Sequence, residues 1–203
     1  MAETDSIVIT PLAERPSLLS HIYEIAETWP AFVPHDPVAE ALLSRVAEDF
    51  PQYCVVATDG GRAVARRRAC RSTPTSTAVL EITVHTAYLG RGLSYGMLAA
   101  LRDAVGRQGR NVLLAPVRPT VKHLEPRVTM TDYVRRQNDD GFPAGPWLRV
   151  HVEAGGRIQR VASASMTVSG SLAQWRQWTG LPFDSDRDID VPGAGEASHK
   201  LGG

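Results

Sequence analysis

Between an apolar run and a helical stripe, the stretch LEITVHTAYLGRGLSYGML (80–98) sets two glycines one residue apart. A strand that feeds a helix through such a turn leaves the first helix amides unpaired, at the positive end of the helix dipole. Glycine there adopts dihedrals that other residues avoid and lets a ligand approach the backbone without a Cβ in the way. The chemistry this allows is the gripping of a phosphate or diphosphate. Gly90, Arg91, Gly92, Leu93, Ser94 and Tyr95 would supply amides, Leu89 opens the turn, and Arg91 adds a mobile positive charge.

The type of phosphate ligand can be narrowed. No Gly-Lys-Ser/Thr follows the turn, so it is not a nucleotide P-loop. The dinucleotide pattern G-x-G-x-x-G misses by one position: Tyr95 stands where the third glycine belongs and Gly96 follows. That pattern also belongs after a first strand, and the next strand here is followed by Arg118 where an acidic residue is needed. An NAD(P)-binding oxidoreductase is therefore the alternative with least support.

The elements that must hold the turn are legible from hydrophobic period. Short strands are predicted at 6–10, 53–58 and 62–70, the last two joined by an Asp59-Gly60-Gly61 hairpin. Helices are predicted over 16–28 and over 37–49 behind Asp36. After Gly92, the stripe Leu93, Met97, Leu98, Leu101 and Val105 predicts a helix, and NVLLAPV (111–117) a buried strand. A further helix is expected over 129–138, capped by Thr129 or Thr131, and a short one at SLAQWRQW behind Ser171. WLRVHVE (147–153) and IQRVASASMTV (158–168) read as two strands. The fold class expected is α/β (α+β): one mixed, mostly antiparallel sheet with helices on both faces and a central β–loop–α–β unit. A single domain over 1–183 and a poorly ordered acidic, Gly-rich tail over 184–203 are the expected organisation.

Composition bounds the partners. The 203 residues carry 22 Lys plus Arg against 22 Asp plus Glu, a net charge of zero that argues against nucleic acid. Two cysteines, Cys54 and Cys70, form neither a disulfide framework nor a metal pattern, and no metal is expected. No leader or membrane-spanning run is visible, so a soluble, cytoplasmic protein is expected. The run Arg66-Arg67-Arg68 reads as an exposed strand edge.

The motif and the element order together resemble the GCN5-related N-acetyltransferase (GNAT) superfamily, over residues 6–168. Its hallmark, a strand followed by Arg/Gln-x-x-Gly-x-Gly/Ala opening a helix, corresponds to Leu89-Gly90-Arg91-Gly92-Leu93-Ser94; Leu89 departs from the usual Arg or Gln, and Ser94 from the last small residue. The stretches APVRPT, PWLRVH, SMTV and WTGL are similar to a bacterial subgroup of that superfamily. The resemblance implies acetyl-CoA or another short acyl-CoA as donor, its diphosphate on the turn amides. It also implies a thioester carbonyl polarised by the backbone N–H near Val84, and a small-molecule primary amine as acceptor, with a homodimer left open. Alternate positions back from Val84 are Ile82, Leu80 and Ala78, all apolar, so the base that members often carry on this strand is not visible. Glu81 serves as base only if a bulge reverses the strand, and His151 has a pKa suited to the role. Tyr133 lies where members carry the acid that protonates the departing thiolate. A CoA-binding protein with weak or lost catalysis is the second reading.

Overall fold

The computed structural model describes residues 7–25, 29–162, 167–184 and 189–194. The chain gathers into two compact units, Met1–Thr28 with Val38–Pro116 and Trp29–Pro37 with Val117–Gly203.

The first unit is built on a five-stranded sheet in sequential order: β1 (Val8–Pro11), β2 (Val55–Asp59), β3 (Arg62–Arg71), β4 (Ser76–Val84) and β5 (Val112–Leu114). Neighbours are antiparallel except β4 and β5, which are parallel as a β–loop–α–β unit requires. The Asp59–Arg62 hairpin forms where Gly60 and Gly61 take positive φ. One face is covered by α3 (Leu93–Arg107), whose Leu93, Met97, Leu98, Leu101, Ala104 and Val105 are buried. Each such side chain stabilises by about 1.5–3 kcal/mol when fully buried, Ala less. Gly96 lies against β1, where a Cβ would fall 2.8 Å from Ile9 Cδ1. The glycine that spoils a dinucleotide pattern is therefore a helix–strand packing residue.

The opposite face is covered by Leu12, Leu18, Ile22, Ile25 and Ala47 over Cys54, Val56 and Ala63. Leu12, Leu18 and Ile22 come from 3₁₀ turns at Leu12–Glu14, Pro16–Leu18 and His21–Glu24, with Ile25 just past the last, not from the continuous helix expected over 16–28. Arg15, at φ −137° and ψ 67°, breaks the chain ahead of Pro16, and residues 26–28 fall outside those described. The helix expected over 37–49 is likewise two short ones, α1 (Pro37–Leu43) and α2 (Val46–Asp49). Both cysteines are free thiols; burial pushes Cys54 up to about 11.

Arg110, absent from the sequence reading, pins the start of the β4–β5 pair. Its guanidinium donates to the carbonyls of Thr73 and Ser76 and to Tyr53 Oη.

In the second unit, α4 (Met130–Arg135) is capped by Thr129, whose hydroxyl accepts from the Asp132 amide at 3.1 Å. α6 (Leu172–Thr179) opens with a reciprocal Ser171–Gln174 box. The expected strand at 147–153 is instead α5 (Pro146–Glu153). Pro146 at its first position has φ preset for helix and lacks only an N–H that would be unpaired anyway. Residues 158–162 and 167–168 form no strand, and 163–166 lie outside the described residues. Phe32, Val33, Phe183 and Val191 form the core of this unit, with Trp29, Trp175 and Trp178 packed on it. Of the expected tail, 185–188 and 195–203 lie outside the described residues, while Val191 is buried.

Candidate active site

Between β4 and α3 the chain makes a 3₁₀ turn at Thr86–Tyr88, with His85 Nδ1 accepting from the Ala87 amide at 3.2 Å. Tyr88 Oη donates to Asp59 Oδ2 at 2.6 Å, which ties the turn to the β2–β3 hairpin. The Tyr88 ring in turn carries the Arg91 guanidinium, 4.8 Å from its centroid. Gly90 and Gly92 have φ of 77° and 74°, and a Cβ on either would meet nothing within 4 Å. Left-handed backbone is what glycine supplies here, and the space a side chain would fill is open.

Among the described residues, no protein acceptor takes the amides of Gly90, Gly92, Leu93 and Ser94. Two members of the predicted set are corrected. The Leu89 amide donates to Thr86 O at 3.2 Å, and Tyr95 N donates to Gly92 O at 3.1 Å, closing the first turn of α3. The Leu89 side chain is 61% exposed at the mouth of the turn. The donor set is thus shorter than the sequence suggested, and it sits at the N-terminus of a 15-residue helix. A diphosphate fits such a cradle in charge and in space.

β4 and β5 pair only from Ser76–Ala78 to Val112–Leu114, while β4 runs on to Val84. The pairing ends at Ala78, together with β5 itself, at the place of the expected cleft. The His85 amide donates to Val64 O on β3 at 2.8 Å. By strand alternation the Val84 N–H points to the other edge of β4, away from β3.

A bulge is present. β3 advances one residue, Arg68 to Ala69, while β4 advances two, Glu81 to Val79, so Leu80 is the extra residue. Val79, Ile82 and Val84 consequently pack with the α3 core, replacing the unbroken alternation through Leu80 and Ala78. The bulge precedes Glu81 and leaves it with Thr83 on the face away from α3. There Glu81 is neither exposed nor a cap of the sheet. It is 5% exposed, and its Oε1 accepts from Arg66 Nε at 2.6 Å and Thr83 Oγ1 at 2.8 Å, while Oε2 accepts from Arg68. Burial alone would raise its pKa; the charges of Arg66 and Arg68 overcome that and hold the carboxyl below the usual range. Both oxygens are engaged, so Glu81 is a structural anchor and a poor proton acceptor.

The arginine run is corrected with it. Arg66, Arg67 and Arg68 are 1%, 1% and 4% exposed in the central strand, not along an edge. Arg66 also donates to Ile22 O and Arg68 to Leu43 O, so the pair staples the covering segments to the sheet. On Arg67, burial pushes the guanidinium down to about 10.

In the second unit, Tyr133 is buried on α4, and Gly145 lies so close that a Cβ there would sit 2.9 Å from its hydroxyl. Burial and the nearby Glu125 raise its pKa against the opposing charge of Arg136, so the phenol is protonated at neutral pH. His151 lies on α5, not on a strand, with Nδ1 2.8 Å from Trp147 O and its ring edge-on to the Trp147 ring. A carbonyl only accepts, so Nδ1 carries hydrogen and the neutral ring's lone pair is on Nε2. Of the basic residues after β5, Lys122 is fully buried with Nζ donating to Glu125 O, and Arg127 is exposed 3.8 Å from Asp190. Among the described residues, no group of three or more His, Cys, Asp or Glu is placed to hold a metal ion, and no helix is long and apolar enough to cross a membrane.

No protein-family model matches the chain. It is 26% identical over 215 residues to arginine N-acetyltransferase avaD of Aspergillus versicolor, spanning 83% of this chain and 74% of that one. Among solved structures, the loading GNATL domain of CurA from Lyngbya majuscula superposes with a TM-score of 0.58 at 14% identity, over 78% of this chain and 87% of that one. Aminoglycoside N-acetyltransferase AAC(6')-Iy in complex with CoA superposes with a TM-score of 0.50 at 16% identity, over 80% and 95%. With the glycine turn opening α3, these likenesses give the chain the GNAT acyltransferase fold.

Proposed function

We propose that this chain is an acyl-CoA-dependent N-acyltransferase that places an acetyl or other short acyl group on a primary amine of a small molecule, with an amino acid such as arginine as the acceptor class. The observation that carries this reading is the set of amides at Gly90, Gly92, Leu93 and Ser94, which no protein acceptor among the described residues takes, at the head of α3. The curated relative's activity on arginine supports the acceptor class.

Bound acyl-CoA supplies a thioester whose carbonyl carbon takes the amine and whose sulfur departs as thiolate. The turn amides and Arg91 hold the diphosphate. The Val84 N–H donates to the carbonyl oxygen as negative charge develops there. Tyr133, kept protonated by its surroundings, is the proposed donor of the proton that the thiolate takes up. The acceptor ammonium gives one proton to water or to Nε2 of His151 before attack, and the second N–H proton, lost as the amide forms, restores the Tyr133 phenol. The products are an amide and free CoA.

One observation favours the second reading, a CoA-binding protein with weak catalysis: the strand carboxylate Glu81 is spent on two arginines. Thermal-shift measurement with acetyl-CoA, CoA and NADPH separates the cofactors. Stabilisation by neither CoA species would remove both readings. Given CoA binding, release of free thiol across an amine panel separates enzyme from binder.

A further inference from the structure

Arg91 is the only cationic residue of the glycine turn, and it is exposed between two glycines that offer no side chain to pack against. An arginine so placed ordinarily spreads over many rotamers, and ordering it on a ligand costs that freedom. Here a ring sets its position. The guanidinium carbon lies 4.8 Å from the centroid of Tyr88. Attraction to a ring face works through the ring quadrupole, so it holds the guanidinium without drawing on its planar N–H fork.

The ring is itself fixed. Tyr88 Oη donates to Asp59 Oδ2 at 2.6 Å, and the Tyr88 amide donates to His85 O at 2.9 Å. The His85 ring meets the Tyr88 ring edge-on, with centroids 6.0 Å apart, and Tyr88 packs against the core beneath α3. Asp59 is the last residue of β2, opposite Arg62 at the head of the hairpin. A phenol that donates to a carboxylate is polarised toward phenolate, which makes the ring face more negative and tightens its hold on a cation. A chain of groups thus runs from Asp59 through Tyr88 to Arg91, all within the first compact unit. It ends between the amides of Gly90 and Gly92, which no protein acceptor among the described residues takes. Amides grip phosphate oxygens but leave their charge uncancelled; a cation held beside them cancels part of it.

We propose that Tyr88 and Asp59 are positioning residues that pre-set Arg91 for the diphosphate of the acyl donor. This rests on the N-acyltransferase reading above and deepens it.

The test is calorimetric titration of CoA and of 3′-dephospho-CoA, which keeps the diphosphate and lacks the ribose phosphate. Arg91→Met should weaken both by about 10- to 100-fold, the scale of a lost charge-assisted pair. Tyr88→Leu should weaken both by about 3- to 10-fold, and Tyr88→Phe, which keeps the ring and loses the tether, by less. In the Arg91→Met background, Tyr88→Leu should change affinity by less than about twofold, because its effect passes through Arg91. A general folding defect would instead act alike in both backgrounds. Asp59→Ala gives a test of sign. Removing a carboxylate near an anion site tightens binding on Coulomb grounds alone, whereas loss of positioning weakens it. In thiol release, kcat at saturating acetyl-CoA should hold while KM rises. Tighter CoA binding in Asp59→Ala overturns the proposal, as does an equal loss from Tyr88→Leu in both backgrounds. A loss seen with CoA and absent with 3′-dephospho-CoA would assign Arg91 to the ribose phosphate and overturn it as well. Failure of the wild type to bind either ligand would instead remove the underlying N-acyltransferase reading, and this proposal with it.

Discussion

Replacing Glu81 with Gln separates two roles that the sequence left open for it. In the structure Oε1 and Oε2 each accept from a different guanidinium, with the side chains of Arg66, Arg68 and Glu81 no more than 4% exposed. Glutamine keeps the shape and one acceptor oxygen but turns an amide N–H₂ toward an arginine N–H. The two guanidinium charges also lose their counter-charge. Breaking one partner of a buried ion pair costs about 3–5 kcal/mol. For a chain of this size each kcal/mol moves Tm by about 2–4 °C, so a fall of about 6–20 °C is expected. Circular dichroism melting at pH 7 measures it. The pH dependence has a definite sign. The folded pKa of Glu81 lies below its unfolded value, so its contribution is fully present above the unfolded pKa, about 4.3, and is lost as pH falls through the folded one. The gap in Tm between wild type and Glu81→Gln should stay constant from about pH 8 to pH 5 and narrow below about pH 4. A variant that melts within about 2 °C of wild type while acyl transfer falls by more than about 100-fold would refute the anchor role and make Glu81 the base.

Three further outcomes are expected. Gly92→Asp should lose acetyl-CoA affinity by about 100-fold or more in calorimetry, since it forces a side chain into left-handed backbone and sets a negative charge at the diphosphate seat; unchanged affinity would move the site elsewhere. Tyr133→Phe should lower kcat by about 10- to 100-fold with little change in the KM for acyl-CoA, and the loss should shrink with thioesters of more acidic thiols, whose sulfur needs no proton. His151→Gln keeps an amide able to donate to Trp147 O and should lower kcat by less than about threefold if water takes the ammonium proton; a loss of about 100-fold with a changed pH–rate profile would make Nε2 the base.

Local pattern carried most of the frame. The apolar stripe from Leu93 to Val105 needs only the 3.6-residue period to become α3, and Asp59-Gly60-Gly61 needs only its own dihedral freedom to close a hairpin. The two positive-φ glycines before α3 are equally local, which is why the turn itself could be placed from the sequence. Local pattern failed at WLRVHVE, where alternating valines mimic a strand. Pro146 behind Gly145 was the available signal for a helix, and the Trp147–His151 pair at i, i+4 agrees with it.

What the chain by itself determined is therefore the fold class, the five strands of the sheet and the glycine turn that opens α3, because each depends on neighbours in sequence. Only the tertiary structure decided the fate of the charges. Arg66 and Arg68 are indistinguishable in sequence from a solvated run, and Glu81 from a candidate base. Their burial follows from β3 being central, from the extra residue Leu80 in β4, and from the carbonyls of Ile22 and Leu43 arriving overhead. No periodicity encodes such a meeting, since its members lie 13 to 44 residues apart in the chain.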